Sequence, residues 1–370
     1  MKFKILLLGF GNVGKGFCRL LSEKRKILKE NYGIDPSVVG ICTRTRGNVY
    51  DPGGIDLTIF LNRTERTPLI PLKEMLGSKV MIPEDPSVEE LVSKADYDVL
   101  AECTLTSLDG GEPAYGWMKK ALERGRSVIT TNKGPIAFHY PELHELELKH
   151  GSRLLFEGTV MAGTPVFATF LQGLSGSRIQ SFEGVLNGTC NYILELMQQG
   201  KGYGDALEKA REAGYAEADP AMDVEGYDSA LKALILSNVL TKKSVPFEKI
   251  ELQGIRAMDP GLIEQARSGK GKIRLVARGR LGDNNSDISV KPEVLLPEHP
   301  LYNLPGAMNG LVFNTDTVGQ VYISGKGAGS RETGFALLSD LIALFPGKRH
   351  FHPSVSVHKE QLISRRAHLC

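Results

Sequence analysis

The chain opens with Phe3-Lys4-Ile5-Leu6-Leu7-Leu8, a short apolar run, and passes directly into Gly9-Phe10-Gly11-Asn12-Val13-Gly14. Behind this turn Val13, Phe17, Leu20, Leu21, Ile27 and Leu28 recur at helical spacing. A strand, a G-x-G-x-x-G turn and a helix in that order leave few folds open. Gly9 permits the tight turn, Gly11 lets a pyrophosphate approach the backbone, and Gly14 lets helix and strand pack closely. The free N–H groups of the helix N-terminus face the phosphates. Gly9, Phe10, Gly11, Asn12, Val13 and Gly14 are therefore expected to form the cofactor turn of a Rossmann-like dinucleotide-binding domain in an α/β protein.

The next strand, 37–42, runs into Thr43-Arg44-Thr45-Arg46. A carboxylate at that strand end would hold the ribose hydroxyl of NAD, but Asp35 precedes the strand and no acid follows it. A guanidinium suits a 2′-phosphate, which favours NADP, with Arg44 as first candidate, Arg46 as second, and NAD still possible. Strand and helix patterns continue to alternate: strand 98–103, helix 115–124 closed by Gly125, and strand 127–130, which opens into Thr131-Asn132-Lys133-Gly134-Pro135. Strand C-termini face the ligand crevice in such sheets, placing Thr104, Asn132 and Lys133 beside the nicotinamide half of the cofactor. Residues 48–93 carry no motif.

A second concentration of chemistry lies in Gly214 to Lys232, GYAEADPAMDVEGYDSALK, where Glu217, Asp219, Asp223, Glu225 and Asp228 precede a lysine set in the apolar run Leu231 to Leu236. A helix from about Asp223 onward puts Asp228 and Lys232 one turn apart on one face, with Ile235, Leu236 and Val239. An ammonium on an apolar face snorkels to water, pairs with an acid, or serves in proton transfer, since desolvation moves its pKa toward neutrality. On this segment alone a structural ion pair and a catalytic lysine stay equally open. In Glu157-Gly158-Thr159-Val160-Met161-Ala162-Gly163-Thr164-Pro165, small residues surround one carboxylate, and its carbonyls could coordinate a hard cation. On composition it reads as a plain turn.

Strands are expected at 178–185, 272–281 and 287–294, the last two antiparallel across residues 282–285, and at 311–313 and 320–324. Gly325-Lys326-Gly327-Ala328-Gly329 then leads into a helix over 332–345, a second glycine turn that brings the chain back toward the cofactor. At 370 residues the chain exceeds what one core supports. We expect a dinucleotide-binding domain over 1–140, rejoined at 315–370, and an α+β substrate domain over 141–314. The net charge of +2 has no basic cluster, which argues against nucleic acid and membrane surfaces. No leader or spanning run is visible, so a cytoplasmic location is expected. The five cysteines, Cys18, Cys42, Cys103, Cys190 and Cys370, lack C-x-x-C spacing, which gives no zinc site. Cys370 could meet its own copy across a two-fold axis as an inter-subunit disulfide.

GFGNVG, TTNKG, EGTVMAGTP, LNGTCNYIL, GYAEADPAMDVEGYDSALK and GKGAG, in this order over most of the chain, resemble homoserine dehydrogenases, which interconvert aspartate 4-semialdehyde and homoserine in threonine and methionine biosynthesis. The resemblance implies that Lys232 is the proton donor to the substrate carbonyl and that Lys133 approaches both substrate and nicotinamide. It implies that Glu217 and Asp228 hold the substrate ammonium and a water, with Asp223, Asn187 and Thr189 also on the substrate side and Gly327 on the cofactor side. It places a monovalent cation, usually sodium, on Glu157, Val160, Ala162 and Thr164, and implies a homodimer whose dimerisation region lies in the second domain. The chain shows no kinase segment before the glycine turn and little length after the last helix, so threonine feedback through a C-terminal domain is not expected.

Two other readings use the same residues differently. Aspartate-semialdehyde dehydrogenase shares a substrate but needs a nucleophilic cysteine, for which Cys190 in NGTCNY is the only candidate, in a stretch that reads better as packing. A non-catalytic dinucleotide sensor would keep the glycine turn and have no use for the acid-lysine cluster.

Overall fold

The computed structural model describes residues 2–66, 71–72, 74, 86–282 and 286–345. Cys370, much of 67–85 and the tip of the 282–285 connection lie outside the described residues.

Two six-stranded sheets organise the chain. In the first, β1 (Lys2–Leu8) lies between β2 (Asp35–Thr43) and β4 (Val99–Glu102), all parallel, and β5 (Ser127–Thr130) and β6 (Leu154–Leu155) extend the parallel run beyond β4. Ile5, Leu6, Leu7 and Leu8 are each at most 1 % exposed, which is why this strand reads as one continuous apolar run instead of an alternating one. The sheet is covered on its two faces by α1 (Asn12–Asn31), α4 (Ala114–Glu123) and α5 (Lys133–His150), among others. At the other edge β3 (Gly47–Tyr50) turns back antiparallel on β2. The described part of 48–93, to which the sequence assigned no role, includes most of this edge strand and the helices α2 (Leu57–Arg66) and α3 (Val88–Lys94), α3 being opened by a Ser87/Glu90 capping box. The chain runs from β1 to β2 and β3 on one side and then crosses back to β4 on the other side of β1, so a crevice opens at the strand C-termini where the order reverses.

The second sheet runs β12-β11-β7-β9-β10-β8. β7 (Ile179–Val185), β9 (Lys272–Leu281), β10 (Ser286–Leu295), β11 (Met308–Thr315) and β12 (Gln320–Lys326) pair antiparallel, and the short β8 (Glu251–Leu252) joins parallel to β10. The expected 272–281/287–294 hairpin is present with Leu295 opposite Lys272. Helices α6 (Gly188–Gln198) and α9 (Tyr227–Thr241) pack on β9, with α7 (Tyr203–Glu212), the one-turn α8 (Ala221–Val224) and α10 (Pro260–Ser268) around them. By sheet membership the chain divides near Phe156 and Lys326, later than the expected boundaries at 140 and 315, because β6 belongs to the first sheet and β12 to the second.

Two local expectations change. The segment after Asp223 is not one helix: Gly226, at φ +85°, breaks it after Val224, and α9 starts at Tyr227. Nor is α9 amphipathic, since every residue from Ser229 to Val239 is buried, and Lys232 therefore sits in a helix enclosed on all sides. Asn132, expected in an open loop, instead caps α5 by accepting the Gly134 N–H at 3.2 Å, so that the helix begins at Lys133 immediately behind the strand end.

The last helix, α11 (Ser330–Ala343), returns to the first sheet and lies along α1. Gly16 and Gly334 allow the approach: a Cβ on Gly334 would stand 2.6 Å from the Phe17 nitrogen. Deeper in, Asp340 accepts the Glu157 N–H at 3.0 Å. Burial first, and then the Glu157 charge, push the Asp340 carboxyl well above its ordinary range. No helix among the described residues is long and apolar enough to cross a membrane.

Because the folded-state pKa of Asp340 is raised, the native protein holds a proton that the unfolded chain releases near pH ~4. The stabilisation is complete below that pH and falls as pH rises. Asp340→Asn keeps an acceptor for Glu157 and removes the charge. Its melting temperature relative to the parent should therefore rise by on the order of a few degrees more at about pH 8 than at about pH 5. An equal offset at both pH values in thermal denaturation would refute the assignment.

Candidate active site

The first glycine turn shows three separate requirements. Gly9 sits at φ +94°, and a Cβ there would lie 2.6 Å from the Cys103 carbonyl oxygen at the end of β4. A Cβ on Gly14 would strike the Gly9 carbonyl, which fixes how closely α1 follows the strand. Gly11 is different: a Cβ on it meets nothing within 4 Å, so its exposed face is open space in front of the helix. Gly11 is also the N-cap of α1, with no side-chain cap and no acid in the first turn, leaving the first N–H groups directed outward. Open space, uncapped donors and the positive end of a helix fit a pyrophosphate.

At the end of β2, Arg46 donates to the Phe10 carbonyl at 2.9 Å, and its guanidinium lies 5.5 Å from the Phe10 ring centroid. Burial lowers its pKa. Arg44 stands exposed beside it. Arg46 thus borders the glycine turn, pinned to its backbone, and Arg44, two residues earlier, is exposed.

The two sheets meet at a cluster of charge. Asp228, in the first turn of α9, receives Lys232 Nζ on Oδ2 at 2.8 Å and faces Lys133 Nζ from Oδ1 at 3.5 Å. Lys133 is the first residue of α5, behind β5 of the first sheet, whereas Lys232 and Asp228 belong to the second domain. Burial opposes the Asp228 charge, but the Lys232 and Lys133 ammonium groups and the hydrogen bonds from Lys232 and Asn187 outweigh it and hold the carboxyl below the usual carboxylate range. Asn187, the N-cap of α6, donates through Nδ2 to Asp223 at 2.6 Å and to Asp228 at 2.9 Å. Asp223 on α8 responds oppositely, its carboxyl raised by burial and then by the Asp228 charge. Lys232 Nζ also donates to the Leu186 carbonyl at 2.5 Å, an oxygen shared with Asn309 Nδ2 at 2.7 Å. An ammonium has three N–H donors, so among the described residues one remains.

Of the other expected substrate residues, Thr189 gives its hydroxyl to the Tyr215 carbonyl at 2.7 Å. Glu217 stands exposed between α7 and α8, and among the described residues it makes no hydrogen bond or ion pair with the cluster. Cys190 is fully buried, its Sγ faces the Asp223 carbonyl, and burial together with Asp223 and Asp228 raises its pKa well above the ordinary thiol value. That is the opposite of what a thiolate nucleophile needs.

The Glu157 loop is built differently from a carboxylate-centred cation site. Glu157 Oε1 accepts the Val166 and Phe167 N–H groups at 2.5 and 2.8 Å and Oε2 accepts the Ala168 N–H at 2.9 Å. The side chain thus acts as a cap on the segment that follows, and burial raises its pKa against those bonds. Val160 and Ala162 are buried, Ala162 in the left-handed region at φ +48°, and the Thr164 hydroxyl reaches the Lys326 carbonyl at 3.4 Å. Among the described residues no three His, Cys, Asp or Glu side chains gather as a metal site.

The second glycine turn does return to the first. Ser330 Oγ donates to the Asn12 carbonyl at the start of α1, and Arg331 pairs with Glu23 on the same helix at 2.8 Å. Gly327 itself packs on the Asn309 amide, which would collide with a Cβ. Two participants were not singled out from the sequence. Asn309 lay just ahead of the strand expected at 311–313, in residues given no reading, while Glu102, an acid closing the apolar run 98–103, carried a usable signal, since a charge at the end of a buried strand requires partners.

Fold and site together define an NAD(P)-dependent oxidoreductase with its chemistry between two domains. A family model described as homoserine dehydrogenase, NAD binding domain, matches residues 9–157, and one described as homoserine dehydrogenase matches residues 165–342. The chain is 37 % identical over 366 residues to an NAD(+)-dependent homoserine dehydrogenase of Pseudomonas canavaninivorans, covering 98 % of this chain and 99 % of that one. It is 34 % identical to the homoserine dehydrogenase of Methanocaldococcus jannaschii, over 92 % and 98 % of the two chains. A solved hyperthermophilic archaeal homoserine dehydrogenase in complex with NADPH superposes with a TM-score of 0.80 at 33 % identity, covering 94 % of this chain and 100 % of that one. The chain belongs to the homoserine dehydrogenase family.

The glycine turn separates stability from binding. Gly9→Ala should lose about 1–3 kcal/mol of stability through its strained φ. Gly11→Ala should leave the melting temperature unchanged and raise the cofactor KM about tenfold, a loss of ~1.4 kcal/mol. Thermal melts and cofactor titrations of the two variants check this, and a destabilised Gly11→Ala with normal KM would contradict it.

Proposed function

We propose that the chain interconverts L-aspartate 4-semialdehyde and L-homoserine with NADP as the preferred cofactor, and that Lys232 delivers the proton. The carrying observation is the Lys133–Asp228–Lys232 cluster: a buried ammonium with two N–H groups committed and one available, held by a carboxylate that a second lysine from the other domain also faces. When bound, the nicotinamide supplies the hydride that reduces the aldehyde carbon. Gly9 to Gly14 and the N-terminus of α1 hold its pyrophosphate, and Arg44 and Arg46 hold a 2′-phosphate, while Thr104 and Lys133 lie at the nicotinamide end.

The remaining N–H of Lys232 points its charge at the substrate carbonyl oxygen, stabilises the developing alkoxide and then transfers the proton. Lys133 adds a second positive charge and positions the carbonyl. Asp228, fixed by Asn187, keeps both ammonium groups in place, and Asp223, Asn187 and Thr189 form the wall that receives the substrate's own ammonium. In the reverse direction the same lysine, neutral, accepts the homoserine hydroxyl proton.

The relatives support either cofactor, since one is named for NAD(+) and another was solved with NADPH. The arginine pair and the lack of an acid at the end of β2 favour NADP here. Sodium held on the loop of Glu157, Val160, Ala162 and Thr164, partly through main-chain oxygens, a homodimer formed through the second domain, and a cytoplasmic location complete the reading.

Consumption of NADPH on adding aspartate semialdehyde, with NADH in parallel, tests the activity directly, and no turnover with either would refute it. Lys232→Ala should lower kcat by about 10²- to 10⁴-fold with the fold intact, whereas Asp228→Asn should also raise the substrate KM. Near-normal turnover by the lysine variant would remove it from the mechanism. Arg44→Ala should raise the NADPH KM about tenfold or more and leave NADH alone, a loss of ~1.4 kcal/mol. An unchanged NADPH/NADH preference would refute the assignment.

A further inference from the structure

At the carboxyl ends of β4 and β5 a single buried acid, Glu102, gathers polar groups from both strands. It is fully buried, and among the described residues no cation lies within ion-pair distance of it. Its Oε1 accepts the Thr104 N–H at 2.8 Å, the Thr104 hydroxyl, and the Asn132 amide at 3.5 Å, and its Oε2 accepts the Thr130 hydroxyl at 2.9 Å. Burying a carboxylate without a counter-ion is costly, and a hydrophobic residue would fill the same volume without that cost. What the acid provides instead is direction.

Asn132 shows the consequence. Its amide can be placed either way round, and only the surroundings decide. Nδ2 is drawn toward Glu102 Oε1, the Thr104 hydroxyl at 3.3 Å and the Leu105 carbonyl at 3.3 Å, all on one side. Oδ1 is thereby turned the other way, onto the Gly134 N–H, where it caps α5. Lys133 is the first residue of that helix, and its ammonium faces Asp228 at 3.5 Å. The chain of contacts therefore runs from Glu102 through Asn132 to Lys133, and separately from Glu102 to Thr104.

We propose that Glu102 is a positioning residue for this reaction: by orienting the Asn132 amide it sets the first turn of α5, and so the placement of the Lys133 ammonium against Asp228. The proposal rests on the role assigned to Lys133 above. Glu102 touches neither substrate nor reacting atoms and moves no proton in the reaction. Glu102→Gln preserves the volume but keeps one acceptor oxygen in place of two, so the bonds from Thr104 and Asn132 on one side and from Thr130 on the other cannot both be kept. Since small displacements of a positioned group cost up to ~10²-fold, kcat should fall about ten- to a hundredfold.

A double-mutant cycle in the full chain tests this, with kcat and KM for aspartate semialdehyde measured for Glu102→Gln, Lys133→Ala and the pair, alongside thermal melts. Supporting the proposal, the pair should be no slower than Lys133→Ala alone, because a misplaced ammonium that is already gone cannot be lost again. Fully multiplicative losses, with Lys133→Ala itself impaired, would overturn the proposal while leaving the Lys133 role standing. Near-normal turnover by Lys133→Ala would overturn that role and this proposal with it. Should Glu102→Gln fail to fold, Asn132→Ser, which keeps a helix cap but cannot reach Glu102, reads the same link. It should reproduce the kcat loss, and parent-like kcat in that variant would overturn the proposal.

Discussion

One carboxylate between two ammonium groups joins this molecule's two halves. Asp228 belongs to a helix that is enclosed on all sides, Lys232 is one turn further along it, and Lys133 arrives from the end of the other sheet. The two ammonium groups hold the buried Asp228 carboxyl below the usual carboxylate range against the cost of its burial. This arrangement requires that the carboxyl ends of the first sheet's strands be brought against the N-terminus of α9. The return of α11 onto α1, through Gly16, Gly334 and the buried Asp340–Glu157 contact, clamps that helix to the first domain and to the loop that leads into the second.

The site is held by main-chain groups as much as by side chains. The Leu186 carbonyl takes a bond from Lys232 and another from Asn309, Asn187 caps one helix while bridging two acids, and Asn132 caps another while answering to Glu102. Helix termini supply directed N–H groups at no side-chain cost, and here they occur where elements of the two domains converge. The charged groups of the cluster are thereby fixed in position before any ligand enters, which is the condition under which electrostatic stabilisation of a developing charge is effective.

Some of this was legible in the residues alone. The strand, turn and helix at the N-terminus followed from a continuous apolar run, three glycines with separate steric duties and a helical period, all of them local properties. The Asp228–Lys232 spacing likewise needed only the helical repeat. Less legible was anything that depended on a partner far away in the chain. The break at Gly226 reads as a plain glycine until Leu252 is seen against it, and the enclosure of α9 on every side, which replaces the expected single apolar face, depends on strands from the second sheet. The stretch around Glu157 reads as a plain turn on composition, and nothing local to it shows that the carboxylate is turned onto three successive N–H groups.

The sequence by itself determined which chemistry was on hand: a glycine turn able to receive a pyrophosphate, arginines where an acid would otherwise stand, and a lysine one turn from an aspartate. These are encoded in residue identity and short spacing, which survive without knowledge of the fold. Only the tertiary structure decided which groups meet. It brought Lys133 to Asp228, left Glu217 in solvent, committed Glu157 to backbone donors and enclosed Glu102 among Thr104, Thr130 and Asn132. Those outcomes depend on distances between residues far apart in the chain, and such distances are fixed by how two sheets and their helices pack.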